Sequence, residues 1–144
     1  MKTYKSLSVN DTEKIAEEFA KTLSGNEVLA MFGTLGMGKT AFVRGLAVGL
    51  GNTSEINSPT FAIVHDYGGT PHLYHFDMYR ISTWDDLYST GFFDYLDMGG
   101  ILAVEWSENI ENVLPEGYTK IVFERTENED ERLITIYSPE EVNR

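Results

Sequence analysis

Gly33-Thr-Leu-Gly-Met-Gly-Lys-Thr40 fills all four fixed positions of the pattern G-x-x-x-x-G-K-[ST], and its flanks limit the possible folds further than the motif does. Before it, Glu27-Val-Leu-Ala-Met-Phe32 is almost continuously apolar, as expected of a strand buried on both faces in a parallel sheet. After it, Phe42, Val43, Leu46 and Leu50 recur at helical spacing between Lys39 and Leu50, with Gly51-Asn52 beyond the end. A buried strand running through a glycine loop into an amphipathic helix belongs to the α/β class.

The spacing has a chemical reason. Glycines at 33, 36 and 38 let the backbone curl until successive N–H groups converge on phosphate oxygens, and the next helix points its positive end at them. The segment Gly33, Leu35, Gly36, Met37, Gly38, Lys39, Thr40 and Ala41 is therefore expected to cradle a nucleotide, ATP or ADP. Lys39 supplies charge to the β and γ phosphates, and the Thr40 hydroxyl is offered to Mg²⁺. The bland alternative is a glycine-rich turn with Lys39 as an ordinary first-turn cation, which the helix dipole disfavours. No Asp or Glu occurs from Val28 to Ser54, although the chain carries 23 acids against 11 Lys and Arg. A carboxylate in that window would repel the nucleotide.

Hydrolysis needs more than a phosphate cradle. Asp77 follows the apolar run from Leu73, and Glu105 follows Ile101-Leu-Ala-Val. In doubly wound sheets ligands sit beyond the C-terminal strand ends, so both carboxylates face the loop. Either one can hold Mg²⁺ while the other positions the attacking water, against the alternative of two solvated strand-end acids. Ser58-Pro-Thr60-Phe61 lies where nucleotide switches carry a γ-phosphate sensor, so Thr60 either reaches metal or phosphate or merely opens a strand. Trp106, directly after Glu105, is either a stacking surface near the site or a core aromatic, with core the default reading. His65, His72 and His75 lack metal-ligand spacing and read as residues on sheet faces or in satisfied polar positions.

Around this centre, Asn10 or Ser8 starts a first helix whose apolar face is Ile15, Phe19 and Leu23 and which ends at Ser24-Gly25-Asn26. Three β-like segments follow the second helix: Thr60–Tyr67, His72–Asp77 and Ile101–Trp106. Trp84 to Leu96 forms one or two short helices broken near Gly91. Lys120–Arg125 and Arg132–Tyr137 pair around the acidic turn Asn128–Glu131. The chain of 144 residues thus reads as one domain, 1–144: a three-layer P-loop NTPase-like α/β domain with a mixed, partly parallel sheet flanked by helices. A net charge of −12 argues against an autonomous nucleic-acid binder. The absence of Cys excludes thiolate zinc sites and cysteine nucleophiles. With no signal-peptide core and no apolar run near the ~20 residues of a membrane span, a cytoplasmic protein is expected.

Beyond the P-loop, Ser-Pro-Thr-Phe at 58–61, His-Phe-Asp-Met-Tyr-Arg at 75–80 and Val-Glu-Trp-Ser-Glu at 104–108 resemble, in order and spacing, the TsaE (formerly YjeE) family. That family is the ATPase subunit of bacterial tRNA threonylcarbamoyladenosine biosynthesis. The resemblance spans nearly the whole chain. It implies a cytoplasmic ATPase, slow alone, that works with a TsaD-like threonylcarbamoyl-transferase subunit and its TsaB-like paralogue on position 37 of tRNA, tRNA contact being left mainly to the complex. It implies that Lys39 and Thr40 bind phosphate and Mg²⁺, that Thr60 lies in the switch-like segment and that Asp77 and Glu105 serve metal and water. It also brings Trp106 to the nucleotide and Thr12, at the start of the first helix, to the adenine. Two positions depart from the family pattern: Thr34 replaces a usual Asp, and Ser107 replaces a usual Pro, which is expected to loosen the backbone there.

Three other readings compete. A small-molecule or nucleotide kinase needs an arginine-bearing lid, and beyond the second helix Arg80, Arg125, Arg132 and Arg144 are scattered. A GTP switch needs Asn-Lys-x-Asp, which is absent. A nucleotide-gated adaptor, in which binding alone drives assembly, is compatible with the same residues.

Overall fold

The structure is a computed structural model, and it describes residues 1–33, 38–52 and 64–142. The elements run β1 (Lys2–Ser6), α1 (Val9–Ala20), β2 (Val28–Phe32), α2 (Lys39–Gly49), β3 (Val64–Asp66), β4 (Leu73–Asp77), α3 (Trp84–Ser89), α4 (Phe92–Met98) and β5 (Ile101–Glu105). A 3₁₀ helix (Ser107–Val113), β6 (Thr119–Arg125), β7 (Arg132–Tyr137) and α5 (Pro139–Val142) complete them. Among the described residues the sheet has seven strands in the order β1-β7-β6-β2-β5-β4-β3. The four central strands are mutually parallel, and antiparallel strands flank them at both ends.

Strand alternation assigns the two faces. Leu29, Met31, Leu73, Ile101, Ala103, Ile121 and Ile134 pack beneath α1 and α2. Tyr74, Phe76, Leu102 and Val104 turn the other way, onto Leu87 of α3, Phe92 of α4 and Ile110 of the 3₁₀ helix. The result is three layers with the sheet in the middle. The chain leaves β2 toward the first face and β5 toward the second, so the C-terminal ends of these neighbouring strands form a topological switch point, where ligands of such folds bind.

Several expectations need correction. Helix α1 is capped by Ser8, whose hydroxyl accepts the Asp11 N–H, and it ends at Ala20, with Lys21 as C-cap, rather than at Ser24. Its most buried stripe is Thr12, Ala16 and Ala20, while Ile15, Phe19 and Leu23 pack only partly. The reason lies in α2. A Cβ added to Gly45 would sit 2.2 Å from the Glu13 carbonyl oxygen, and one on Gly49 would sit 2.5 Å from that of Glu17. The two helices therefore meet backbone to backbone, which leaves room only for small residues at the contact. Arg44 and Glu13 clamp the same interface through a 3.1 Å ion pair. Strand β1 was not read from the sequence; it pairs with β7 along five residues from Lys2 to Ser6. Residues 60–63 of the expected strand Thr60–Tyr67 lie outside the described residues, and β3 covers Val64–Asp66. Among the described residues no helix is long and apolar enough to cross a membrane.

Candidate functional site

Gly38 opens the site. Its φ of 90° is left-handed, a conformation that costs glycine nothing, and it lets the chain turn sharply into α2. No side chain caps that helix and its first turn holds no acid, whereas α1 and α3 carry the hydroxyl caps Ser8 and Thr83 and acids in their first turns. Among the described residues, therefore, no side-chain cap satisfies the leading N–H groups of α2 and no first-turn acid offsets its dipole.

Lys39 follows at 4 % exposure. Its Nζ donates to the Gly33 carbonyl at 2.6 Å and stands 4.0 Å from the centre of the Trp106 ring. Burial lowers its pKa, and the charges of Glu105, Glu108 and Asp77 oppose that shift. Gly33 is held from its other side as well, because its N–H donates to Glu108 Oε2 at 2.8 Å.

Thr40 is exposed, and its hydroxyl lies 3.4 Å from Glu105 Oε2. Glu105, the last residue of β5, is 7 % exposed. The same Oε2 lies 2.5 Å from His75 Nε2, and His75 Nδ1 lies 3.4 Å from the Tyr67 hydroxyl. Burial pushes the Tyr67 phenol up to about 12, with Glu105 adding to the shift and Arg44 opposing it. Asp77 ends β4 in register with Glu105, is exposed, and accepts the Tyr79 N–H at 3.0 Å.

Trp106 has φ 59° and ψ 42°, the one positive φ outside glycine among the described residues. That strained reversal carries the chain from β5 into the 3₁₀ helix and brings Glu108 back against Gly33. The indole packs against the lower core layer and the Tyr79 ring while presenting a face to Lys39. The default reading of a core aromatic therefore covers only part of its surroundings. Ser107 is fully buried, and its hydroxyl donates to the Val104 carbonyl at 2.8 Å, tying the turn that this residue was expected to loosen.

Thr12 lies in α1 on the other side of Gly38, 2 % exposed, its hydroxyl 2.7 Å from that of Ser6. With Ser8, Val9, Gly38, Ala41 and Arg132 it lines a cleft of about 330 Å³. The structure thus gathers Thr12, Gly33, Gly38, Lys39, Thr40, Ala41, Asp77, Glu105 and Trp106 around the start of α2. Leu35, Gly36, Met37 and Thr60, with Thr34, lie outside the described residues. Sequence reasoning missed three neighbours: His75, Tyr67 and Glu108. His75 and Glu108 had a signal only as members of the motifs at 75–80 and 104–108, and Tyr67 had none.

Thr40 and Glu105 present hard oxygen donors to one point beside the uncapped helix, a donor set that suits Mg²⁺. No group of three or more His, Asp or Glu able to hold a metal ion occurs among the described residues.

Three comparisons with known proteins point to one family. The family model described as "Threonylcarbamoyl adenosine biosynthesis protein TsaE" matches residues 6–134. The tRNA threonylcarbamoyladenosine biosynthesis protein TsaE of Bacillus subtilis is 41% identical over 138 residues, covering 94% of this chain and 85% of its own. The protein of the same name from Treponema pallidum is 37% identical over 91% of this chain and 96% of its own. The crystal structure of Bacillus subtilis YdiB superposes with a TM-score of 0.76 at 34% identity, covering 95% of this chain and 84% of that one.

Proposed function

The chain belongs to the TsaE family, and on that premise we propose that it serves tRNA threonylcarbamoyladenosine biosynthesis as an ATPase, binding and hydrolysing Mg-ATP to sustain turnover of the modification complex. The observation that carries this reading is the convergence of three groups. A buried lysine, a helix start with no side-chain cap, and a hydroxyl facing a strand-end carboxylate meet at the C-terminal edge of a parallel sheet.

In this reading the triphosphate lies against the first turn of α2, where backbone N–H groups and the helix dipole receive it. Lys39 releases the Gly33 carbonyl and turns its ammonium to the β and γ phosphates, a short swing because it already sits at the loop. Thr40 and Glu105 would hold Mg²⁺. When bound with the nucleotide, that ion neutralises charge developing on the phosphate oxygens. Asp77, exposed opposite Glu105, then orients the attacking water. Trp106 walls the phosphate side, and the cleft beside Thr12 takes the adenine.

The partners in this reading are a TsaD-like transferase subunit and its TsaB-like paralogue, in the cytoplasm. They supply the main tRNA contact, since a chain of net charge −12 repels a phosphate backbone. Calorimetry of Mg-ATP binding to the wild type and Lys39→Ala tests the site: binding is expected in the first and absent in the second. Equal affinity in both would overturn it. A multiple-turnover modification assay with ATP against a nonhydrolysable analogue then separates hydrolysis from a role limited to binding.

A further inference from the structure

His75 lies on β4 between Leu73 and Asp77, with Ala103 as its register partner on β5. Period-two alternation sends Leu73, His75, Ala103 and Glu105 to the face covered by α1 and α2. A histidine 5 % exposed beneath these helices must find partners for both ring nitrogens or pay a desolvation penalty. It finds Glu105 on one side and Tyr67 on the other.

The two contacts fix the chemistry of the ring. A carboxylate only accepts, so Nε2 carries the hydrogen toward Glu105 Oε2. In the neutral ring Nδ1 is then an acceptor, and the Tyr67 hydroxyl faces it, kept protonated by burial. Distances rank the contacts on Glu105. His75 approaches Oε2 to 2.5 Å, whereas the Thr40 hydroxyl stands at 3.4 Å from the same atom. The shorter bond sets the carboxylate's orientation, and the longer one is readily exchanged for another ligand.

We propose that His75 is a positioning residue for Glu105, holding the carboxylate from the core side so that Thr40 and Glu105 converge on one divalent ion, with the Tyr67 hydroxyl facing the other ring nitrogen behind it. Carboxylates and histidines at metal sites are commonly oriented in this way by partners that touch neither metal nor substrate, and losing such a partner typically costs 10- to 100-fold in metal affinity or activity. The inference rests on the Mg-ATP reading of the site, and its test separates the two.

Nucleotide affinity is measured by calorimetry in EDTA, and the half-saturating Mn²⁺ of the nucleotide complex by electron paramagnetic resonance, for wild type, His75→Leu, His75→Gln and Tyr67→Phe. In His75→Leu, nucleotide affinity in EDTA is expected to stay within about two-fold while the half-saturating Mn²⁺ rises on the order of ten-fold or more. His75→Gln retains a donor and restores most of the difference. Tyr67→Phe is nearly isosteric, keeps the assay informative should the leucine variant fold poorly, and is expected to shift the Mn²⁺ midpoint by about three-fold. An unchanged midpoint in both His75→Leu and Tyr67→Phe would overturn the proposal alone. Parallel loss of metal-free nucleotide affinity would also overturn it, by reducing His75 to a structural role. A wild type that binds nucleotide with no dependence on divalent ions would overturn the Mg-ATP reading itself.

Discussion

Asp77 and Glu105 face each other as the terminal residues of the parallel β4–β5 pair, yet one is exposed and the other nearly enclosed. Their matching positions in the sequence conceal different surroundings. Glu105 meets His75 and Thr40, whereas Asp77 accepts the Tyr79 backbone N–H. Glu105→Gln is expected to lower ATP turnover on the order of 100-fold or more, as for removal of a preorganised charge at a reacting centre. Asp77→Asn is expected to cost roughly ten-fold, below the usual general-base contribution because amide and carboxylate can both orient water. Steady-state hydrolysis with the partner proteins present gives the ranking, and a larger loss at Asp77 would reverse the division of roles.

Lys39 separates stability from function. Its cation is desolvated, and burial lowers its pKa, so the fold carries a cost for keeping it charged. Lys39→Met keeps an unbranched side chain and drops the charge. The thermal midpoint of the nucleotide-free protein should not fall, while the rise induced by Mg-ATP disappears. Thermal denaturation with and without nucleotide checks both halves. A lower nucleotide-free midpoint would show that the Gly33 carbonyl and the Trp106 face outweigh the desolvation.

Trp106 offers an optical signal. The chain has two tryptophans, and Trp84 stands on α3 at 59 % exposure, beyond the residues gathered at α2. Withdrawal of the Lys39 ammonium from the Trp106 face on nucleotide binding should change indole emission. Trp84→Phe should retain the change and Trp106→Phe should abolish it. A nucleotide-induced change that survives in Trp106→Phe would place the nucleotide elsewhere.

Gly45→Ala tests the contact between α1 and α2. Alanine favours an isolated helix by about 1 kcal/mol over glycine, but here its methyl would meet the Glu13 carbonyl oxygen at 2.2 Å and Ala16 Cβ at 2.6 Å. Overpacking costs about 1–3 kcal/mol and should win. The urea midpoint is therefore expected to fall, and a rise would mean that the helices separate without penalty.

Alkaline titration reports on Tyr67. The native phenol holds its proton up to about 12 against 10.0 for an unperturbed tyrosine. Between these values the unfolded chain has released the proton and the native state has not, so this contribution to stability is complete below pH 10 and lost as pH approaches 12. Tyr67→Phe should flatten part of that decline. Tyr74 and Tyr118, also raised by burial, contribute in the same direction. Urea midpoints between pH 9 and 11.5 give the slope, and an identical slope in the variant would count against the burial of the hydroxyl.

What could be read in advance was local. The apolar run before the glycines, the helix after them, the break at Gly91 with φ 77° and the final strand pair each follow from spacing or turn chemistry carried by adjacent residues. Strand β1 escaped because Lys2-Thr-Tyr-Lys-Ser6 offers one apolar residue, and its register is supplied by β7 from the far end of the chain. The buried stripe of α1 escaped for a similar reason. Helical periodicity favours Phe19 over Ala16, and only the glycines of α2 reveal that the neighbour comes too close for a large side chain. His75 is the clearest case. Alternation shows which face it joins, but its meeting with Glu105 depends on β4 lying beside β5, which no local pattern encodes.

The missing side chains at Gly45 and Gly49 also act as a gauge. Helix α1 carries Thr12 to one wall of the cleft, Gly38 and Ala41 at the start of α2 form the other, and along the seam behind them the glycines of α2 meet the backbone of α1 beside the methyls of Ala16 and Ala20. The width of that cleft is thus calibrated by two absent methyl groups farther along α2. Wedging those helices apart would widen the cleft before it altered any group that lines it.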